Sequence, residues 1–254
     1  MSNKKENSWE YLIERKECID YLKKELNKID ITISDEKCKL LYLYMKQLLE
    51  WNKKINLTAI RNEEDFILKH LVDSLSIIKY LDYKMDSSIN IIDIGTGGGF
   101  PGIPLKIYYQ NSKVTLVDSV NKKLNVIKDI TENININNLE FVHSRAEELG
   151  QKNEYREKFN LVVSRAVANL TTLVEYLIPL CGLGEKVVCM KGPGAEEELL
   201  HANKAIEILG GKVENIVNFK IENENRWLII IKKVKKTPKQ YPREVGMPLK
   251  KPIE

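Results

Sequence analysis

Residues 91–105 read IIDIGTGGGFPGIPL. Five glycines and two prolines follow an apolar run that ends at Ile94. The pattern predicts a strand whose tip turns through glycines into a second apolar segment. In an open α/β sheet, the loop beyond a strand's C-terminal end is where a ligand sits. Glycines there let the backbone approach the ligand and free N–H groups to face it. A P-loop is excluded, because no G-x-x-x-x-G-K-[ST] occurs. A dinucleotide fingerprint is harder to dismiss. Gly97, Gly99 and Gly102 satisfy G-x-G-x-x-G, and Asp118 sits about where a ribose-binding acid belongs. Three features weigh against it. Asp93 stands inside the strand where an apolar residue is usual, and Pro101 and Pro104 remove N–H groups a pyrophosphate would use. The third is the end of the chain, where an antiparallel pair is unusual for a nicotinamide domain.

Outward from this loop, short β-branched runs alternate with helical stretches. Strands are expected at 89–94, 113–118, 139–144, 159–164 and 185–191. That alternation predicts parallel βαβ units in a doubly wound sheet. Two further strand-like runs, KVENIVNFKI and RWLIIIKKV, are joined by the short link ENEN and predict an antiparallel pair closing the sheet. Before residue 85 the pattern is helical. Ser34 and Asn62 are N-cap candidates followed by acids, and the stripes Leu41, Met45, Leu48 and Ile67, Leu71, Leu75, Ile78 have helical spacing. The organisation expected is an N-terminal helical cap (1–85), an α/β domain (86–234) and a tail (235–254).

The chain has 254 residues, enough for one large domain with an appendage. It has no run of eighteen apolar residues and no apolar signal core near the N-terminus, so neither a membrane span nor export is expected, and the protein is placed in the cytoplasm. Cys18, Cys38, Cys181 and Cys189 show neither CxxC pairing nor a histidine at ligand spacing, so no metal is expected and the thiols read as reduced. The net charge of +4 is unevenly distributed. Eight basic and two acidic residues fall at 232–254, leaving 32 basic and 34 acidic residues before them. Pro238, Pro242, Pro248 and Pro252 make that tail extended. It reads equally as a solvated tail or as a polyanion-binding arm. In either case the ligand site is expected to be independent of it.

The motif DIGTGGG resembles the first motif of class I S-adenosylmethionine-dependent methyltransferases. The resemblance implies a mostly parallel seven-stranded sheet with an antiparallel terminal strand. It also implies that the glycine loop wraps the amino-acid end of S-adenosylmethionine and that Asp118 binds the ribose. The chain lacks the [DNS]-P-P-[FYW] motif of exocyclic amino methylation after the fourth strand, and neither Cys181 nor Cys189 has the Pro-Cys context of pyrimidine C5 methylation. An acceptor with its own lone pair needs neither. Guanine N7 carries no proton at neutral pH, so proximity and in-line alignment suffice.

More specifically, the ordered set WNKKINLT (51–58), KHLVDSL (69–75), DIGTGGGFPGIPL (93–105), LVDSVNKK (116–123), SRAEE (144–148), VSRAVANL (163–170), MKGPG (190–194) and RWLIII (226–231) is similar to the RsmG, or GidB, family. Those are bacterial methyltransferases of guanine N7 in 16S ribosomal RNA. One departure is Gly98, where proline is expected in many relatives. The resemblance implies a cofactor lining of Asp93, Gly95, Gly97, Gly99, Phe100, Asp118, Ala146, Glu147 and Arg165. It implies that Arg145, Lys191 and Arg226 meet RNA phosphate or the guanine and position it, with no general base. Guanidinium groups grip phosphate bidentately, and a lysine acts as a point charge. The partner implied is the small ribosomal subunit or its RNA. Oligomeric state has no signal in the sequence, and a monomer is the working expectation. His70, Asp73 and Ser74 share a helix face and mimic an acid–base set. N7 attack offers no proton to remove, so His70 and Asp73 are expected to seat the N-terminal helices against the glycine loop. Trp51 and Asn56 read as packing and capping residues.

Overall fold

A computed structural model of the chain describes residues 9–165 and 167–253. Two helices lead, α1 (Trp9–Lys28) and α2 (Asp35–Asn52). Ser34 caps α2, its hydroxyl accepting from Lys37 N at 3.4 Å. Asn62 caps α3 (Glu63–Phe66), its side-chain oxygen accepting from Asp65 N at 2.8 Å. The sequence stripe from 62 to 81 predicts one continuous helix. Instead α3 passes into a π-helical segment (Ile67–Val72), then α4 (Asp73–Leu75) and a 3₁₀ turn (Ser76–Tyr80). The wider π turn re-aims the side chains that follow. His70 and Asp73, expected on one helix face, both meet Arg165.

The α/β unit then runs β1 (Asn90–Ile94), α5 (Gly102–Tyr108), β2 (Lys113–Asp118), α6 (Asn121–Asn133), β3 (Leu139–His143), α7 (Ala146–Gln151), β4 (Phe159–Arg165), α8 (Leu170–Leu177), β5 (Cys181–Lys191), α9 (Ala195–Ile208), β6 (Gly211–Ile221) and β7 (Glu224–Lys233). The sheet order is β3-β2-β1-β4-β5-β7-β6. Strands β1 to β5 are mutually parallel. Strand β7 is antiparallel to both β5 and β6, so the final hairpin inserts its second strand next to the parallel set. Glu222, at φ 53°, takes the left-handed conformation the tight turn needs. Strand order reverses at β1, between β2 and β4, and the crevice opens at that switch point.

Each face of the sheet has its own apolar layer. One joins α1, α2, α5 and α6, with core residues such as Leu41, Met45, Leu71, Ile103 and Ile127. The other joins α7, α8 and α9, around Leu149, Leu173, Val174 and Ala202. The N-terminal helices therefore share a core with the sheet.

The C-terminal segment folds back across α7 and α8 and ends in the short α10 (Met247–Lys250). Arg156 donates to the carbonyls of Thr237 (2.9 Å), Pro238 (3.1 Å) and Tyr241 (2.6 Å). Arg243 grips the buried Glu175 carboxylate, with Nη2 2.6 Å from Oε2. Thr172 donates to Pro248 O at 3.1 Å. The tail is thus a strap along its length, while Lys235, Lys236, Lys239, Lys250 and Lys251 remain exposed on it.

Candidate active site

The glycine loop is tied down from both ends. Gly95 N and Thr96 N both donate to Val117 O, at 2.9 and 3.0 Å. Gly97 N donates to Asp118 Oδ2 at 2.9 Å, and Val120 N to Asp118 Oδ1 at 2.9 Å. Asp93 braces the loop from beneath. Its Oδ2 accepts from Thr96 Oγ1 at 2.7 Å and Gly102 N at 2.8 Å, and the residue is fully buried. Gly99 faces inward as well: a Cβ there would collide with the Tyr44 hydroxyl, which donates to Gly98 O at 2.7 Å. Gly97 differs. At φ +58° a Cβ on it would meet only Gly95 O, 3.9 Å away, so the space above it is open.

Beside this loop, Asp118, Ser119, Arg145, Ala146, Glu147 and Tyr176 line a cavity that Gly95 and Val167 close. Glu147 is buried, and its Oε1 accepts from Gly246 N of the C-terminal strap at 3.0 Å. Burial first, then the Glu147 carboxylate, push the Tyr176 hydroxyl up to about 12. The tail, expected to be independent of the ligand site, thus touches Glu147, one of the residues expected to line it, because the strap reaches α7.

Past Val167 and Lys191, which share a shallow recess, lies a second cavity of about 440 Å³. Thr58, His70, Asp73, Arg165, Lys191 and Arg226 line it, with Met190 and Trp227 as apolar wall. Arg165 Nη1 donates to Asp73 Oδ2 (3.0 Å) and Lys69 O (2.9 Å), and its Nη2 lies 2.9 Å from His70 Nδ1. Arg226 Nε stands 3.6 Å from Asp73 Oδ1, which has no hydrogen-bond partner among the described residues. Lys191 Nζ is held by Glu198 (2.7 Å) and donates to Ala168 O (2.8 Å). The His70 ring stacks on Phe100, and Phe66 meets both rings edge-on.

Burial, then the neighbouring Arg165, hold His70 down at about 3, so its imidazole is neutral at pH 7. Burial raises Asp73 as well, opposed by Arg165 and Arg226. Asp93 is pushed up to about 6 by burial, against its hydrogen bonds from Thr96 and Gly102. Burial pushes Cys181 and Cys189 up to about 12, which leaves both thiols un-ionised and poor nucleophiles.

The family profile described as rRNA small subunit methyltransferase G, GidB, matches residues 37–228. The chain belongs to the GidB family. A Clostridium novyi ribosomal RNA small subunit methyltransferase G is 47% identical over 236 residues, covering 92% of this chain and 96% of that relative. Among solved structures, a Corynebacterium glutamicum protein superposes with a TM-score of 0.54 at 14% identity, covering 85% of this chain and 97% of that one. An M. jannaschii protein solved in complex with AdoMet gives 0.50 at 12% identity, covering 64% and 77%. Sheet order and these likenesses make the fold that of class I methyltransferases.

In this GidB chain the residues singled out by sequence, Gly97 apart, fall into three places. Gly95, Asp118, Arg145, Ala146 and Glu147 gather in the first cavity. Arg165, Lys191 and Arg226 gather in the second. Arg145 is therefore not beside Lys191 and Arg226. It precedes α7, on the β3 side of the sheet, whereas they rise from β5 and β7. Asp93, Gly99 and Phe100 stand behind the loop and hold its shape. Among the described residues no His, Cys, Asp and Glu cluster could hold a metal, and no helix is long and apolar enough to cross a membrane. Sequence reasoning passed over Thr58, Tyr176 and Val167. Thr58 lay inside WNKKINLT, where a threonine two residues before an isoleucine gives no sign of facing a cavity.

Proposed function

We propose that this chain transfers the methyl group of S-adenosylmethionine to N7 of a guanine in 16S ribosomal RNA. The observation that carries the reading is the pairing of two adjoining cavities of different chemistry in a GidB family member. The first offers the Asp118 and Glu147 carboxylates and the Tyr176 hydroxyl, and Gly97, whose amide donates to Asp118, has open space above its Cα. Those groups fit a ligand with ribose hydroxyls and a heteroaromatic ring. When bound, S-adenosylmethionine supplies a methyl group on a positively charged sulfur. The second cavity is lined by cations and an apolar wall, suited to a base on an anionic backbone.

The protein's own work is positioning. Asp118 fixes the loop through Gly97 N while retaining lone pairs for ribose hydroxyls. Arg165, braced by Asp73 and His70, is a fixed cation in the wall of the second cavity. A neutral, twice hydrogen-bonded His70 is poorly placed to act as a base, and N7 needs none. Lys191 and Arg226 line the second cavity, paired with Glu198 and Glu224, whose place an RNA phosphate would take. Small-subunit RNA or particles lacking the modification, incubated with labelled S-adenosylmethionine, test the reading. Label mapping to one guanine as N7-methylguanine is the expected result. Label on an exocyclic amine or on C5, or none on RNA, rejects it.

A further inference from the structure

The second cavity holds a hydroxyl whose role the hydrogen-bond chemistry fixes. Thr58 Oγ1 lies 2.6 Å from His70 Nε2 and accepts from Ile60 N at 3.1 Å. The direction of the first contact follows from the far side of the ring. His70 Nδ1 faces Arg165 Nη2 at 2.9 Å. A guanidinium has donors only, so Nδ1 presents its lone pair. The neutral ring then carries its proton on Nε2 and donates it to Thr58. With the imidazole N–H and the Ile60 N–H both donating to it, the threonine oxygen has used its two acceptor positions. What remains is its own hydrogen. Among the described residues no acceptor stands within hydrogen-bond reach of it, and Thr58 lines the cavity. A threonine hydroxyl ordinarily serves either as donor or as acceptor. This one is restricted to donating.

That restriction bears on which purine the cavity takes. Beside N7, guanine carries the acceptor O6 and adenine carries the donor N6 amino group. We infer that Thr58 is a specificity-determining residue that donates to guanine O6 and leaves adenine's amino group facing a second donor. The chain of donors Arg165, His70, Thr58 is aligned in one sense, so each bond polarises the next. Its anchor is the glycine loop, because His70 stacks on Phe100 with centroids 4.4 Å apart. The inference rests on the functional reading above and deepens it.

The test uses small-subunit RNA assembled by ligation with guanine, inosine or 2,6-diaminopurine at the mapped position. Inosine keeps O6; diaminopurine replaces it by an amine; both keep N7. The wild-type protein should methylate guanine and inosine with similar kcat/KM and diaminopurine at least a hundredfold less well, since a site built around one hydrogen bond rejects the analogue that cannot make it. Thr58→Ser keeps the hydroxyl and should keep that ratio. Thr58→Val should lower kcat/KM for guanine by roughly tenfold, the scale of one hydrogen bond. It should also narrow the guanine-to-diaminopurine ratio and leave S-adenosylhomocysteine affinity unchanged. The serine variant guards against a folding artefact, as does the ratio, which loss of folded protein does not move. An unchanged ratio in Thr58→Val, or a loss confined to cofactor affinity, overturns the assignment while the methyltransferase reading stands. A wild-type protein that leaves guanine N7 unmethylated takes down both.

Discussion

The imidazole of His70 lies flat on the ring of Phe100, centroids 4.4 Å apart and planes within 11°. One residue belongs to the π-helical segment of the N-terminal region, the other to the glycine loop. The contact couples them. Phe100 is 3% exposed and also meets Tyr44 and Phe66 edge-on, with the Arg165 guanidinium 5.3 Å from its centroid. Removing it opens a cavity and frees His70 at once. Phe100→Ala should destabilise the fold by about 3–5 kcal/mol. Phe100→Leu should cost less yet still weaken S-adenosylhomocysteine binding, because the loop loses its backing. Urea melts and calorimetric titration measure both. A leucine variant with unchanged affinity separates the loop from its support.

The pH dependence of stability carries the signature of the buried histidine. His70 falls from 6.5 in the unfolded chain to about 3 in the fold. The unfolded state then binds one proton more between those values, so this contribution is complete above about pH 6.5 and is lost as pH falls toward 3. The slope cannot exceed about 1.4 kcal/mol per pH unit. Asp93 acts with the opposite sign. Raised from 3.8 to about 6, it stabilises below 3.8 and loses that stabilisation as pH rises through 6. Asp73 is raised and acts in the same sense as Asp93. The net curve is therefore flattened below pH 6, and a difference experiment isolates the histidine. His70→Phe keeps a ring against Phe100 and removes the titration. Wild type should lose more stability than the variant between pH 6 and pH 4; parallel curves would count against a depressed His70. At neutral pH, single-turnover transfer by His70→Ala at saturating substrates should fall far less than a thousandfold. A loss of roughly three decades with intact binding, the scale of general acid–base catalysis, would instead demand a proton transfer.

Gly97 offers the most direct probe of the loop. It has positive φ and open space beyond its Cα, so a side chain there is both strained and aimed outward. S-adenosylhomocysteine at about 100 times its Kd should stabilise the wild type by roughly 2.7 kcal/mol, a shift of about 5–10 °C for a chain this size. NAD should give no shift. Gly97→Val should abolish the response. Normal affinity in that variant would remove the loop's open face from the site.

Much of this was legible in the sequence because it rests on local pattern. Strand-length β-branched runs, the caps Ser34 and Asn62, and the glycine-to-acid spacing from Gly97 to Asp118 are all readable residue by residue. What escaped depends on direction. Asp93, Gly99 and Gly97 look alike as motif members, yet two face the protein interior and one faces open space, and only packing against Tyr44, Thr96 and Gly102 decides which. The break after Phe66 escaped for a related reason. Its stripe suits an α-helix throughout, so residue spacing alone does not mark the π turn at Ile67–Val72. The strap escaped because Arg156 binds backbone carbonyls, which have no residue signature.

That strap supports a final prediction, in which the two roles of the tail come apart. Its exposed lysines are free to meet phosphate, while its backbone and Arg243 hold α7 and α8. Deleting residues 237–254 removes the partner of Glu175, a carboxylate on a residue with no exposed surface. It strips three carbonyls from Arg156 and takes Thr237 Oγ1 from the buried Lys233. Breaking one buried ion pair alone costs about 3–5 kcal/mol. Glu147 also loses the Gly246 N–H that holds it toward the first cavity. The deletion should therefore lower the unfolding midpoint and weaken S-adenosylhomocysteine binding together. Replacing Lys239, Lys250 and Lys251 by alanine leaves every one of those hydrogen bonds and ion pairs in place. This triple variant should keep the midpoint and cofactor affinity. If the lysines meet RNA, it should flatten the log affinity against log salt slope by roughly 0.7 to 0.9 for each phosphate no longer neutralised. An unchanged slope assigns the tail to structure alone. A deletion that spares both stability and cofactor affinity would show that the strap supports neither α8 nor the cavity beside Glu147.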